Sequence, residues 1–167
     1  GEELKIRQED VRLNGWAIEC RINAEDVQAG FAPAPGRIEK ISFPDEAGVR
    51  VDTGVRAGSS IVASYDSMIA KLIVTGRDRH DAIIKTKLAL DKVWIKGTKT
   101  TLPFFRMLMR NPLFQAGTFT TAFIEKDLEK FHMSSEYEET IAAWLATKLF
   151  VEENLSERKT GISFDQG

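Results

Sequence analysis

Residues Gly15–Asn23 read GWAIECRIN, and their apolar and polar side chains alternate one by one. One face of this segment carries the apolar residues Trp16, Ile18, Cys20 and Ile22. The opposite face carries Ala17, Glu19, Arg21 and Asn23. Because successive side chains of a strand point to opposite faces, the pattern predicts a β-strand with one buried face.

The segments that follow, up to residue 76, also have the character of strands. Pro33 and Pro35 interrupt the pattern and predict a loop over Gln28–Gly36. The segments that we predict as further strands are 37–43, 48–52, 60–63 and 68–75. The short connections between them favour antiparallel hairpins or a meander.

The period of the apolar residues lengthens after residue 77 and indicates helices. The first is predicted over Arg79–Ile95, with Asp78 as its N-cap and Gly97 as its stop. A second helix is predicted over Leu102–Arg110, capped by Thr101. Further helices are predicted over 118–131 and 135–153, and a disordered polar tail over 156–167. The predicted fold is therefore α+β, with an antiparallel, strand-rich first half (about 15–76) packed with helices from the second half.

Composition excludes several functional classes. The 167 residues include 23 Lys and Arg against 25 Asp and Glu, so the chain lacks the basic excess of a dedicated nucleic-acid binder. The single cysteine cannot form an internal disulfide, which suits a reducing compartment. With two histidines and one cysteine, little remains for a metal site, and no apolar run approaches the length of a membrane span. The chain starts at Gly1 rather than Met, and we expect it to be a piece of a longer protein.

Two polar groups stand out as candidates for chemistry. Arg21 would project from a rigid strand beside Glu19, and its planar guanidinium suits the oxygens of a carboxylate, bicarbonate or an enolate. The alternative is that this face is simply solvated. Asp66 either caps a turn or holds a catalytic cation in place. From the residues alone, these two sites do not complete a reaction centre.

Several motifs, in order along the chain, resemble one known domain. The matching stretches are GWAIECRINAED (Gly15–Asp26), FAPAPGRI (Phe31–Ile38), AGVRVDTGVRAG (Ala47–Gly58), YDSMIAKLIVTG (Tyr65–Gly76), GTKTTLPFFRMLMRNPLF (Gly97–Phe114) and FIEKDLEKF (Phe123–Phe131). They resemble the C-terminal domain of the biotin carboxylases found in acetyl-CoA, propionyl-CoA, methylcrotonyl-CoA and pyruvate carboxylases. The resemblance implies a lead-in from an ATP-grasp region over 1–14, the C-terminal domain over 15–131, a helical extension over 132–155 and the tail over 156–167.

The resemblance also implies a function. Biotin carboxylases use ATP, Mg²⁺ and bicarbonate to form carboxyphosphate, which yields the CO₂ that carboxylates biotin on a carrier protein. Arg21 matches the arginine that contacts bicarbonate and stabilises the biotin enolate, and Asp66 matches a residue beside the biotin pocket. Glu19 would support Arg21, and Arg50 falls in a segment that family dimers use as an interface. No residue of this chain is assigned to a metal.

The resemblance leaves most of the catalytic machinery outside this sequence. The glycine-rich ATP-grasp lid, the magnesium-ligand segment and the biotin-accepting motif are absent from it. We therefore expect the isolated chain to be inactive and to bind neither ATP nor Mg²⁺. Its expected partners are the ATP-grasp portion, the biotin carboxyl carrier protein, a second copy of itself and the carboxyltransferase, with no nucleic acid or membrane.

Two alternative functions and the location of the protein stay open at this point. The first alternative is a non-catalytic dimerisation or subunit-docking module of the same fold. The second is a related ATP-grasp ligase such as a urea carboxylase. We expect a cytoplasmic protein, or one of the mitochondrial matrix if the source is eukaryotic. The acyl acceptor is selected by a separate carboxyltransferase, so this sequence does not specify it.

Overall fold

The computed structural model describes residues 1–124, and the account below concerns the unit formed by Gly1–Thr120. Its strands are β1 (Trp16–Asn23), β2 (Glu25–Asp26), β3 (Ala32–Pro33), β4 (Gly36–Arg37), β5 (Lys40–Ser42), β6 (Val49–Thr53), β7 (Ser60–Ile61), β8 (Met68–Gly76) and β9 (Trp94–Lys96). Its α-helices are α1 (Arg79–Lys92), α2 (Leu102–Leu108) and α3 (Pro112–Ala116). Short 3₁₀ turns cover Gln8–Asp10 and Val27–Ala29. The predicted mixture of helices with small antiparallel sheets is confirmed.

The largest sheet within residues 1–124 has three antiparallel strands in the order β1-β8-β6. The expectation of simple hairpins or a meander is wrong here, because β8 lies between two strands that precede it by many residues. The sequence of β8, MIAKLIVTG, explains its place. It is the most apolar of the long strands, and a central strand is shielded from water on both edges.

The core consists of apolar side chains from the central sheet and from the helices that follow it. The alternation predicted for β1 is confirmed at Cys20 and Ile22, which are fully buried, while Glu19 and Arg21 are exposed. Trp16 departs from the pattern and is 51% exposed. The other members of the core cluster are Ala24, Ile38, Ile69, Ala70, Leu72, Val74, Ala89, Leu90, Val93, Leu102 and Met109.

Helix α1 begins where the sequence predicts, but it ends earlier. The Asp78 side chain accepts a hydrogen bond from the backbone N–H of Asp81 and so caps the first turn. The helix stops at Lys92, because Val93 is extended and Trp94–Lys96 pairs with Lys40–Ser42 as a strand. The predicted extension to Ile95 is therefore wrong, since this pairing with β5 overrides the helical pattern.

The start of α2 differs from prediction in the role of Thr101. Thr101 precedes Leu102, the first residue of α2, but its side chain makes no capping hydrogen bond. Its hydroxyl instead bonds to the backbone of β1. After α2, Asn111 separates this helix from α3. It caps α3, because its side chain accepts hydrogen bonds from the backbone N–H groups of Leu113 and Phe114.

Several predictions fall outside the described residues. The second half of the helix predicted over 118–131 lies beyond residue 124, and the helix over 135–153 and the tail over 156–167 lie wholly beyond it. Among residues 1–124, no helix combines the length and the hydropathy that crossing a bilayer requires.

Candidate functional site

Arg21 projects from the open face of β1. Its side chain is 58% exposed, and its Nε lies 3.9 Å from Oε1 of Glu19. This is the only ion pair that Arg21 makes with the described residues, and its length leaves most of the guanidinium donors without a carboxylate partner. One further contact joins Arg21 Nη2 to the sulfur of Met68 at 4.0 Å. The geometry therefore presents a cation on a rigid strand with capacity for an external anion.

Asp66 lies on the loop that leads into β8. Its Oδ1 accepts a hydrogen bond of 3.0 Å from the backbone N–H of Met68, as in a capped turn. Among residues 1–124, Asp66 and Arg21 do not form an ion pair with each other. The two candidates are instead connected through Met68, whose N–H binds Asp66 and whose sulfur contacts Arg21. The structure thus shows the turn-capping alternative for Asp66, and its contact with a substrate stays a prediction.

A row of charged residues crosses the exposed face of the sheet. Arg21 lies opposite Lys71, and Lys71 lies opposite Asp52 on the next strand. Two neighbouring cations raise the positive potential at the β1 end of the row, and this favours an anion there. A shallow pocket of about 300 Å³ adjoins the row, lined by Asp52, Thr53, Gly54, Met68, Ile69, Ala70 and Lys71.

Arg50 lies on β6, at the other edge of the same sheet. Its Nε and Nη2 each donate a hydrogen bond of 2.9 Å to Asp52, and its side chain is 73% exposed. The hydrogen bonds from Arg50, aided by the nearby charge of Lys71, hold the pKa of Asp52 below its usual range. Since β8 separates β6 from β1, Arg50 does not share a contact with Arg21. Its role at an interface stays a prediction.

The hydroxyl of Thr101 fixes the backbone of β1 at the candidate site. Thr101 Oγ1 donates to the carbonyl of Arg21 at 3.2 Å and accepts from the N–H of Asn23 at 3.0 Å. Sequence reasoning missed this role, because a threonine before a helix is indistinguishable from an N-cap until the tertiary pairing is known.

The carboxylate of Glu25 fixes the loop that carries Asp66. Glu25 Oε1 accepts hydrogen bonds from Ser67 Oγ at 2.6 Å and from Asn23 Nδ2 at 3.0 Å. The sequence pattern assigned no role to Glu25. No spacing signal could have joined it to Ser67, which is 42 residues away.

The described residues do not offer a site for the metal that this family implies. Residues 1–124 bring together no group of three His, Cys, Asp or Glu side chains able to hold a metal ion. Cys20 offers no reactive thiolate, because burial, with a smaller contribution from Glu19, raises the pKa of its thiol to about 12.

Comparison with known proteins identifies the family. The family model for the biotin carboxylase C-terminal domain matches residues 19–126. The chain is 50% identical over 126 residues to a pyruvate carboxylase subunit of Methanothermobacter thermautotrophicus, covering 75% of this chain and 26% of that protein. It is 48% identical over 125 residues to biotin carboxylase 1 of Bacillus subtilis, covering 75% of this chain and 28% of that protein.

A solved structure gives the same result. The biotin carboxylase domain dimer of 2-oxoglutarate carboxylase from Hydrogenobacter thermophilus, crystallised with MgADP, ADP and bicarbonate, is 44% identical to this chain. The TM-score is 0.73, and the match covers 76% of this chain and 28% of that one. This chain thus spans little more than a quarter of the length of each of these three proteins. From its sequence and its fold, the chain belongs to the biotin carboxylase C-terminal domain family.

Proposed function

We propose that this chain is the part of a biotin carboxylase that supplies Arg21 to the ATP- and bicarbonate-dependent carboxylation of biotin on a carrier protein. The observation that supports the proposal is the guanidinium of Arg21, exposed on a rigid strand and held only loosely by Glu19 at 3.9 Å. The guanidinium of Arg50, by contrast, donates two hydrogen bonds of 2.9 Å to Asp52. Arg21 is therefore free to bind an incoming anion.

In this proposal, Arg21 acts where negative charge develops. ATP supplies the activation of bicarbonate as carboxyphosphate, whose breakdown yields CO₂. When N1′ of biotin is deprotonated, charge moves to the ureido oxygen, and the guanidinium stabilises that oxygen by hydrogen bonds and charge. The same planar donor set also suits the paired oxygens of bicarbonate. Glu19 limits the orientations of Arg21, and Asp66 holds Met68 beside it and borders the biotin pocket.

The remaining groups of the reaction belong, in this proposal, to partners of the chain. The ATP-grasp portion binds ATP and Mg²⁺, a carrier protein presents biotin, and a carboxyltransferase takes the carboxyl group onward. We expect the isolated chain to show no biotin-dependent ATP cleavage, and the protein that joins it to an ATP-grasp portion to show it. Assay of both with ATP, bicarbonate and free biotin tests this. Turnover by the isolated chain, or none by the joined protein, would contradict the proposal.

A second candidate function is a non-catalytic dimerisation or docking module, and the exposed Arg50–Asp52 pair on β6 favours it. The two hydrogen bonds that Arg50 donates to Asp52 hold both side chains in one orientation on this surface. Sedimentation of the joined protein and of its Arg50→Glu variant tests the surface. Loss of self-association in the variant supports an interface at Arg50, and an unchanged oligomeric state removes it. Biotin carboxylation by the joined protein then decides between an enzyme and a module.

A further inference from the structure

The carboxylate of Glu25 ties two separate segments together beside Arg21. It accepts a hydrogen bond of 2.6 Å from the hydroxyl of Ser67 and one of 3.0 Å from the amide of Asn23. All three side chains are partly buried. Hydrogen bonds to a carboxylate are shorter and stronger than neutral ones, particularly away from bulk water. We call these three residues the Glu25 clamp.

The Glu25 clamp acts on the segment that contains Asp66 and Met68. Ser67 stands between these two residues, and its carbonyl also accepts a hydrogen bond of 2.7 Å from the N–H of Ala24. Met68 is the residue whose N–H binds Asp66 and whose sulfur lies 4.0 Å from Arg21 Nη2. A shift of Ser67 would therefore move Asp66 and the sulfur that flanks Arg21 together.

The orientation of Asn23 adds a second observation. Its Nδ2 reaches Glu25, while its Oδ1 is buried and accepts no hydrogen bond from the described residues. A buried acceptor without a partner lowers stability. The amide of Asn23 therefore binds Glu25 through its Nδ2, while its Oδ1 has no hydrogen-bond donor among the described residues. Buried polar groups that lack a hydrogen-bond partner are uncommon in natural proteins, and functional sites are among the places where they occur.

We propose that Glu25 is a positioning residue for biotin carboxylation: through the hydroxyl of Ser67 it fixes the loop in which Asp66 binds Met68 and Met68 contacts Arg21. The inference rests on the proposed function. Displacement of a positioned group by about 1 Å typically lowers a rate by ~100-fold. We therefore expect Glu25→Ala to lower kcat for biotin carboxylation by roughly 10- to 100-fold. ATP cleavage measured without biotin should fall less than biotin carboxylation, because Asp66, on the loop that the clamp fixes, borders biotin in the proposed function.

The test uses the full-length enzyme that contains this chain and its ATP-grasp portion. Ser67→Ala should reproduce the loss seen in Glu25→Ala, and the double variant should lose no more than Glu25→Ala alone, because both single variants remove the hydrogen bond between Ser67 and Glu25. Glu25→Gln should restore most of the rate, since its amide oxygen can accept the same hydrogen bond from Ser67. Glu39→Ala is the matched control: it removes an exposed carboxylate that pairs with Lys96 at 3.0 Å, away from the clamp.

Three outcomes would overturn the inference. Unchanged kcat in both Glu25→Ala and Ser67→Ala would show that the clamp does not position the site. An equal loss of biotin-independent ATP cleavage, together with a lowered Tm, would show a role in folding alone. A Glu25→Gln variant as slow as Glu25→Ala would assign the effect to charge. If instead the unmodified full-length enzyme fails to carboxylate biotin, the proposed function itself is wrong, so the two failures are distinguishable.

Discussion

Thr101 Oγ1 donates a hydrogen bond to the carbonyl oxygen of Arg21 across 80 residues of sequence, at 3.2 Å. The same hydroxyl accepts from the N–H of Asn23, and the backbone N–H of Thr101 donates to the carbonyl of Asn23 at 3.1 Å. The pairing of β1 with β8 becomes irregular between Ile22 and Asn23. Thr101 therefore satisfies the backbone of β1 at the site where its candidate catalytic residue projects.

Replacement of Thr101 by valine tests this arrangement. Valine keeps the shape of the buried side chain, which is 4% exposed, but leaves the N–H of Asn23 and the carbonyl of Arg21 without the hydroxyl. We expect Thr101→Val to lower the free energy of unfolding by about 1–3 kcal/mol, measured by urea denaturation. Thr101→Ser retains the hydroxyl and is the control. Equal stability of the two variants would contradict the assigned role.

Removal of the Arg21 guanidinium should affect catalysis and spare stability. In the full-length enzyme, we expect Arg21→Ala to lower kcat for biotin carboxylation by ~100- to 1000-fold, the usual effect of losing one charge-stabilising contact. Arg21→Lys should recover little, because an ammonium lacks the planar pair of donors. The Tm should stay near that of the unmodified protein, since Arg21 is exposed and loosely paired. Full activity of Arg21→Ala would remove this residue from the site.

Gly97 occupies a backbone position that other residues would strain. Its φ is +110°, and a Cβ atom would lie 2.0 Å from the carbonyl oxygen of Arg37. We expect Gly97→Ala to destabilise the chain by at least ~1–3 kcal/mol, as thermal unfolding would show. Gly54→Ala is the matched control, because a Cβ at Gly54 meets no atom within 4 Å. Comparable unfolding temperatures for the two variants would be inconsistent with the close approach.

Asp26 should make stability depend on acidic pH. A hydrogen bond from Lys99 at 2.6 Å, together with backbone N–H groups, lowers the pKa of Asp26 in the folded chain. Its contribution is therefore present above the pKa of an unfolded aspartate and is lost as pH falls through the lower, folded value. Lys99→Met should move the midpoint of acid unfolding to higher pH, measured by circular dichroism. Lys40→Met, at an exposed position on β5, is the control and should leave the midpoint of acid unfolding unchanged. Equal shifts in the two variants would show that net charge, rather than the Lys99–Asp26 pair, sets the midpoint.

Local pattern was sufficient to predict some elements and insufficient for others. The alternation over Trp16–Asn23 and the cap at Asp78 depend on neighbouring residues, so the sequence contained the information. Strand β9, Trp94–Lys96, has only three residues and exists because β5 pairs with it. Periodicity cannot distinguish so short a strand from the end of a helix.

The candidate site shows the same division. The motif around Arg21 is contiguous, and its strand and exposed face were both predictable. The partners that hold its surroundings, Thr101 and Ser67, reach β1 and Glu25 only through tertiary contacts between distant segments. Their hydroxyls have several local uses, such as capping or turn formation, and sequence alone does not decide which use prevails.

The bonds from Thr101 also determine what can happen at the outer edge of β1. Within residues 1–124, β8 is the only strand paired with β1, so the other edge of β1 faces away from the sheet. An open strand edge is a template on which another chain can add a strand. At Arg21 and Asn23, however, the backbone groups of that edge are already bonded to Thr101. Addition of a strand from another chain at this end of β1 would have to displace Thr101 and the start of α2. Thr101 therefore both fixes the candidate site and opposes aggregation through this edge.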